Sequence, residues 1–78
     1  MPKLLFFAAA REAAGSSSLQ IQGTTVGESI DIASHQLPVE FLRILPSCGI
    51  WLNGEPADMS APCSDGDELA LIPPVSGG

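Results

Sequence analysis

Two short runs near opposite ends of the chain, Leu4 to Ala10 and Leu69 to Pro74, carry apolar residues at successive positions, and they limit the fold more than any other feature. A strand with one wet face alternates, because its side chains point to opposite sides in turn. A short continuous apolar run instead predicts a strand buried on both faces, in the middle of a sheet. Both runs fall far short of the ~20 residues that span a bilayer. Between them lies one regular helical pattern. Val26, Ile30, Ala33 and Leu37 recur at steps of four, three and four, Thr25-Val-Gly-Glu28 has capping-box spacing, and Pro38 stops the pattern. One helix covers one face of a sheet, so the other face keeps an exposed apolar patch, and such patches usually mark a partner surface.

The remaining segments complete the order. Arg11-Glu-Ala-Ala reads as a turn of helix stopped at Gly15, and Ser18-Leu-Gln-Ile-Gln alternates as a strand antiparallel to the first, ended by Gly23. Phe41, Leu42, Ile44 and Leu45 form an irregular or short helical segment bounded by Pro46. Gly49-Ile-Trp-Leu runs into an Asn53-Gly54 turn, Ser64-Asp-Gly-Asp67 makes another, and Glu68 to Ile72 is the last strand, ended by Pro73-Pro74. Strand, strand, helix, strand, strand, with the first and last as central neighbours, is a β-grasp layout. It predicts an α+β domain over residues 1–72, with a mixed sheet of four to five strands, one main helix on one face, and an extended tail over 73–78. Leu4, Phe6, Leu69 and Leu71 fall on the helix side, and Phe7 and Ile72 on the open side; a slip of one residue would invert this assignment.

With 78 residues, 45% of them hydrophobic, the chain is one small folded domain rather than a disordered segment. Three basic residues (Lys3, Arg11, Arg43) against nine acidic ones give a net charge of -6, the wrong sign for nucleic acid or an anionic membrane. No export signal is evident, which predicts a cytoplasmic, reducing location with Cys48 and Cys63 as free thiols. Neither has a basic neighbour in sequence, so both are read as inert. His35 is the only histidine, at the end of the predicted helix, and with two cysteines it falls short of the usual four zinc ligands, so no metal site is expected. Gly49, Gly54 and Gly66 stand alone at turns, without phosphate-loop spacing, so the chain by itself is expected to bind no ATP or other cofactor. The nine carboxylates are scattered over turns and solvent faces, and Trp51 is read as a core residue.

Packing leaves the carboxy-terminal segment Pro73-Pro-Val-Ser-Gly-Gly78 unexplained. Six extended residues reach roughly 20 Å, and a diglycine end without Cβ atoms threads a channel too narrow for ordinary side chains. Such a terminus presents its carboxylate to another protein's active site. Leu4-Leu-Phe-Phe-Ala-Ala-Ala-Arg-Glu12, Leu52-Asn-Gly-Glu55 and Ser64-Asp-Gly-Asp-Glu-Leu-Ala-Leu-Ile-Pro-Pro-Val-Ser-Gly-Gly78 together make the chain resemble, over essentially its whole length, the small, sulfur-carrying subunits of molybdopterin synthase, the MoaD-like branch of the ubiquitin-like β-grasp proteins. Thiamine-pathway carriers share the Gly-Gly end, but Phe6-Phe7 and the Pro-Pro-Val-Ser-Gly-Gly ending favour the molybdopterin branch. Pro56 departs from the pattern, where such proteins carry a bulkier apolar residue, and the two cysteines are not part of the motif.

The resemblance implies a mechanism. A free carboxylate is a poor electrophile. An adenylyltransferase related to ubiquitin-activating enzymes would use ATP to join AMP to the Gly78 carboxylate, and a persulfide donor would then leave a Gly78 thiocarboxylate. The large subunit of a heterotetrameric synthase, gripping Pro73, Pro74, Val75, Ser76 and Gly77, would use that sulfur to build the dithiolene of molybdopterin. Catalysis then belongs to the large subunit, and this chain is not an enzyme by itself. Phe7 and Ile72 are the expected partner-binding residues. The alternatives are a sulfur carrier for thiamine synthesis or tRNA thiolation, and a ubiquitin-like protein modifier.

Overall fold

The computed structural model describes residues 1–74. Strand β1 (Lys3–Phe6) leads into helix α1 (Ala8–Ala14), β2 (Ser18–Gln20), α2 (Val26–Ser34), α3 (Val39–Ile44), a 3-10 turn (Leu45–Ser47), β3 (Gly49–Leu52), β4 (Glu55–Pro56) and β5 (Glu68–Ile72). The sheet order is β2-β1-β5-β3-β4, with β1 and β5 parallel at its centre and the other pairs antiparallel. This is the mixed, five-stranded β-grasp sheet, and the two apolar runs are central neighbours as predicted.

The helix side is the core. Leu4, Phe6, Leu69 and Leu71 are essentially inaccessible, and they pack with Ala10, Ala14, Val26, Ile30, Ala33 and Phe41 from the three helices. Phe6 and Phe41 meet edge to face, with ring centroids 5.3 Å apart. The predicted parity of β1 and β5 therefore holds. Helix α2 is capped as its spacing requires: Thr25 Oγ1 accepts the Glu28 amide at 3.1 Å. The Glu28 carboxylate reaches back one residue further than a standard capping box, to the Thr24 amide at 2.6 Å and its hydroxyl at 3.0 Å. Those donors hold the Glu28 carboxyl below its ordinary pKa.

Three boundaries differ from the sequence reading, and a fourth segment takes the short-helix alternative that the reading left open. The first apolar run divides, β1 stopping at Phe6 and the alanines forming α1, because alanine is the best helix former and Ala10 and Ala14 reach the core as a helical pair four apart. Gly15 ends that helix at φ 80°, as expected. Strand β2 stops at Gln20, and Ile21 turns into the core while its amide bonds the Pro2 carbonyl. Helix α2 stops at Ser34, so Leu37 packs against the core from the turn beyond it. The segment around Phe41 closes as a true helix, giving two short helices beside the main one on the same face.

Candidate functional site

Among the described residues, the other face of the sheet carries no helix. Register places Ser18, Leu5, Ala70, Trp51 and Pro56 in one row across all five strands, with Gln20, Lys3 and Glu68 in a row on one side and Ile72 and Gly49 on the other. Phe7 continues the extended backbone of β1 past its last paired residue, with φ −123° and ψ 151°, and so keeps the open-face parity of Leu5. Phe7 is 45% exposed and Ile72 39%, as their assignment to the open face requires.

Trp51 corrects the sequence reading. It is 37% exposed, and its partners Ala70 and Pro56 place it in the middle row of the open face, while Ile50 and Leu52 take the inward positions of β3. A lone tryptophan gives no parity by itself; the alternation of Ile50 and Leu52 around it was the signal that sequence reading missed. Phe7, Leu5, Ala70, Trp51 and Ile72 thus make one apolar surface, rimmed at one end by Lys3 and Glu68.

This surface adjoins the start of the segment that the sequence reading expects to be the tail. Ile72 is both the last residue of β5 and an exposed member of the face, and half-buried Pro73 and exposed Pro74 follow it. Val75, Ser76, Gly77 and Gly78 lie outside the described residues. Cys48 precedes Gly49, the partner of Ile72, and its half-buried side chain packs against the core. Burial raises its pKa, and Sγ donates to the Ile44 carbonyl at 3.4 Å. Cys63 is buried with its pKa also raised, first by burial and then by the Asp67 charge. Both are free cysteines held as neutral thiols, in keeping with their reading as inert.

Among the described residues no group of three or more His, Cys, Asp or Glu side chains is placed to hold a metal, and no helix is long and apolar enough to cross a membrane. His35 caps α2 at the surface, its Nδ1 donating to the Asp31 carbonyl at 2.8 Å. A cavity of about 540 Å³, lined by Met1, Pro2, Gly23, Glu28, Cys63 and Asp65, lies at the end where β1 and β5 begin, opposite the tail. The chemistry available on the open face is therefore docking, by apolar contact beside a chain end.

The model of the ThiS family matches residues 4–78. The chain belongs to the ThiS family. It is 39% identical to the molybdopterin synthase sulfur carrier subunit of Arabidopsis thaliana over 80 residues, covering 97% of this chain and 81% of that one. It is 35% identical over 82 residues to small archaeal modifier protein 1 of Haloferax volcanii, covering 92% and 94%. The crystal structure of that modifier superposes with a TM-score of 0.82 over 99% of this chain and 98% of its own. The complex of subunits 1 and 2 of molybdopterin-converting factor from Helicobacter pylori contains a chain that matches with a TM-score of 0.75 at 27% identity, over 99% and 97%. The chain is thus a ubiquitin-like β-grasp protein of a family of sulfur carriers and modifiers.

Proposed function

We propose that this chain is the sulfur-carrying small subunit of a molybdopterin synthase, working in the cytoplasm. The observation that carries this reading is the position of Ile72, which belongs at once to the exposed apolar face and to the root of the tail. A partner that docks on the face receives the tail in a fixed direction, and Pro73-Pro74 stiffens its first step. Binding energy from the remote face then positions the reacting end. The 39% identity to the Arabidopsis carrier subunit and the small-and-large subunit pair of the Helicobacter pylori factor support the choice of pathway and partner.

In this reading an adenylyltransferase activates the Gly78 carboxylate with ATP, a persulfide donor converts it to a thiocarboxylate, and the large subunit draws in Pro73 to Gly78 and performs the catalysis. The carrier contributes the docking face and the chain end. The test is intact-mass measurement after incubation with the activating enzyme, ATP and a persulfide donor. The expected product gains the mass of one sulfur-for-oxygen exchange, and an unchanged mass overturns the proposal. The 35% identity to the archaeal modifier favours a second reading, conjugation of Gly78 to lysines, which would give heavier isopeptide adducts instead.

A further inference from the structure

Three segments that are far apart in the sequence meet at the end of the sheet where β1 and β5 begin, and the cavity of about 540 Å³ opens among them. Backbone bonds fix its walls. The Ile21 amide donates to the Pro2 carbonyl at 3.0 Å, the Cys63 amide to the Thr24 carbonyl at 2.9 Å and the Lys3 amide to the Asp67 carbonyl at 2.9 Å. The arm before β1, the loop from β2 to α2 and the loop before β5 therefore hold one another, and the cavity is pre-formed. Its volume falls within the roughly 300–1,000 Å³ of small-molecule sites, and Met1, Pro2, Gly23 and Cys63 give it a mostly apolar lining.

Two carboxylates stand in that lining, Glu28 and Asp65, and no basic side chain among the described residues joins them. Asp65 is already answered by a cation, the Met1 ammonium. Glu28 differs. Its Oε1 accepts both Thr24 bonds, from the amide and from the hydroxyl, while its Oε2 has no partner among the described residues. The Thr24 bonds fix the direction of the carboxylate and hold it below its ordinary pKa, so it is charged at neutral pH. Ser29 adds a second acceptor with capacity to spare: its buried hydroxyl is directed at Gly23, lies near the Cys63 sulfur and has no hydrogen-bond partner.

We infer that this cavity is a binding site for a small organic cation that carries N–H donors on an apolar body, such as an amidinium, with its charged head on Glu28 and its body against Pro2 and Cys63. The head gains a charge-assisted hydrogen bond, roughly twice as strong as a neutral one, and the body gains by leaving water. The site lies beyond the opposite end of β5 from Ile72. It is independent of the carrier reading, and the chain can hold such a ligand while its open face is engaged.

The probe is benzamidine, cationic at neutral pH, with benzamide as its neutral counterpart of nearly the same shape. Titrated into the isotope-labelled chain at fixed ionic strength, benzamidine should move the backbone amide resonances of Gly23, Thr24, Cys63 and Ser64 to saturation, with a dissociation constant of about 1 mM or tighter for a ligand of this size. Those of Leu5 and Ala70 on the open face should stay in place. Benzamide should bind about fivefold or more weakly, and so should benzamidine to Glu28→Gln, whose side-chain oxygen still accepts the Thr24 bonds without a charge. Glu40→Gln, which removes the same charge from α3 instead, should bind benzamidine within about twofold of the unmodified chain. Shifts that do not saturate, shifts spread over the acidic surface, equal binding of benzamide, or undiminished binding to Glu28→Gln overturn the proposal. The benzamide comparison uses the unmodified chain and so decides the matter whether or not Glu28→Gln folds.

Discussion

The indole of Trp51 lies against Gly49: a Cβ added at Gly49 would stand 3.5 Å from Trp51 Nε1 and 3.6 Å from the Ile72 carbonyl oxygen. The bare backbone of Gly49 lets the ring settle beside the point where β5 ends. Gly49→Val, whose branches extend past that Cβ, should push the ring outward. The single tryptophan makes this measurable: its emission should shift to longer wavelength, while the melting temperature changes little because no core residue is touched.

The same face gives the docking prediction. Phe7→Asp and Ile72→Asp should each weaken binding of the large subunit by about tenfold or more, the usual scale for loss of an interface anchor. Far-ultraviolet circular dichroism and the melting temperature should stay close to those of the unmodified chain, since both side chains are exposed. Calorimetric titration alongside a melt checks this. Unfolding with retained affinity would mean that the residue belongs to the core.

A different result is expected at Gly23. A Cβ there would stand 2.2 Å from Ser29 Oγ and 2.9 Å from both the Cα and the amide nitrogen of Ser29, which are backbone atoms of α2 and cannot swing aside. Gly23→Ala should therefore cost about 1–3 kcal/mol, the range for overpacking a filled site, read from denaturant unfolding. Ser29→Ala is the contrasting variant. Its hydroxyl is fully buried near the Cys63 sulfur without completing a hydrogen bond, so removing it should leave stability unchanged or raised.

Three carboxylates set the acid response. Glu28 is held below its ordinary pKa of 4.5 first by the Thr24 amide and then by the Thr24 hydroxyl. Asp58 is held below 3.8 first by the Ser60 hydroxyl and then by the Ser60 amide, and Asp67 below 3.8 first by the Asn53 side chain and then by the Ser64 amide. A lowered folded-state pKa means that the unfolded chain binds more protons through this range, so the stabilisation is present above the ordinary value and lost as pH falls through the folded one. The melting temperature should fall as pH drops below about 4.5, screened by salt because Glu28 and Asp58 are exposed and Asp67 partly so. Asp67→Asn should flatten the slope, and an equally steep slope in that variant would exclude its part.

These sites also show what the sequence discloses. The central place of the Leu4 and Leu69 runs, the Thr25 cap and the Gly15 stop were legible because each is local chemistry or an unbroken apolar run. The Asn53-Gly54 turn was legible too, and the two residues adopt φ 51° and 85°. What Asn53 does beyond its turn was not: its Nδ2 donates to Asp67 at 3.0 Å and its Oδ1 accepts the Glu68 amide at 2.9 Å, joining segments fourteen and fifteen residues away. The place of Trp51 and the clash behind Gly23 likewise depend on tertiary partners that no period encodes.

The remaining prediction concerns the chain end. Deleting Gly78, or extending the chain past it by one residue, should abolish sulfur loading while leaving the melting temperature nearly unchanged. In the proposed mechanism the reaction takes place at the terminal carbonyl. One residue moves that carbonyl by roughly 3.3 to 3.6 Å, whereas productive attack requires placement to within about 1 Å. Stability should not follow, because among the described residues the packed core draws on residues up to Leu71 and Pro74 is already exposed. A thiocarboxylate assay with the activating enzyme, run beside a melt on both variants, decides the matter. Full loading of the shortened chain would remove the terminal carbonyl from the mechanism, and a large drop in melting temperature would make the tail part of the fold.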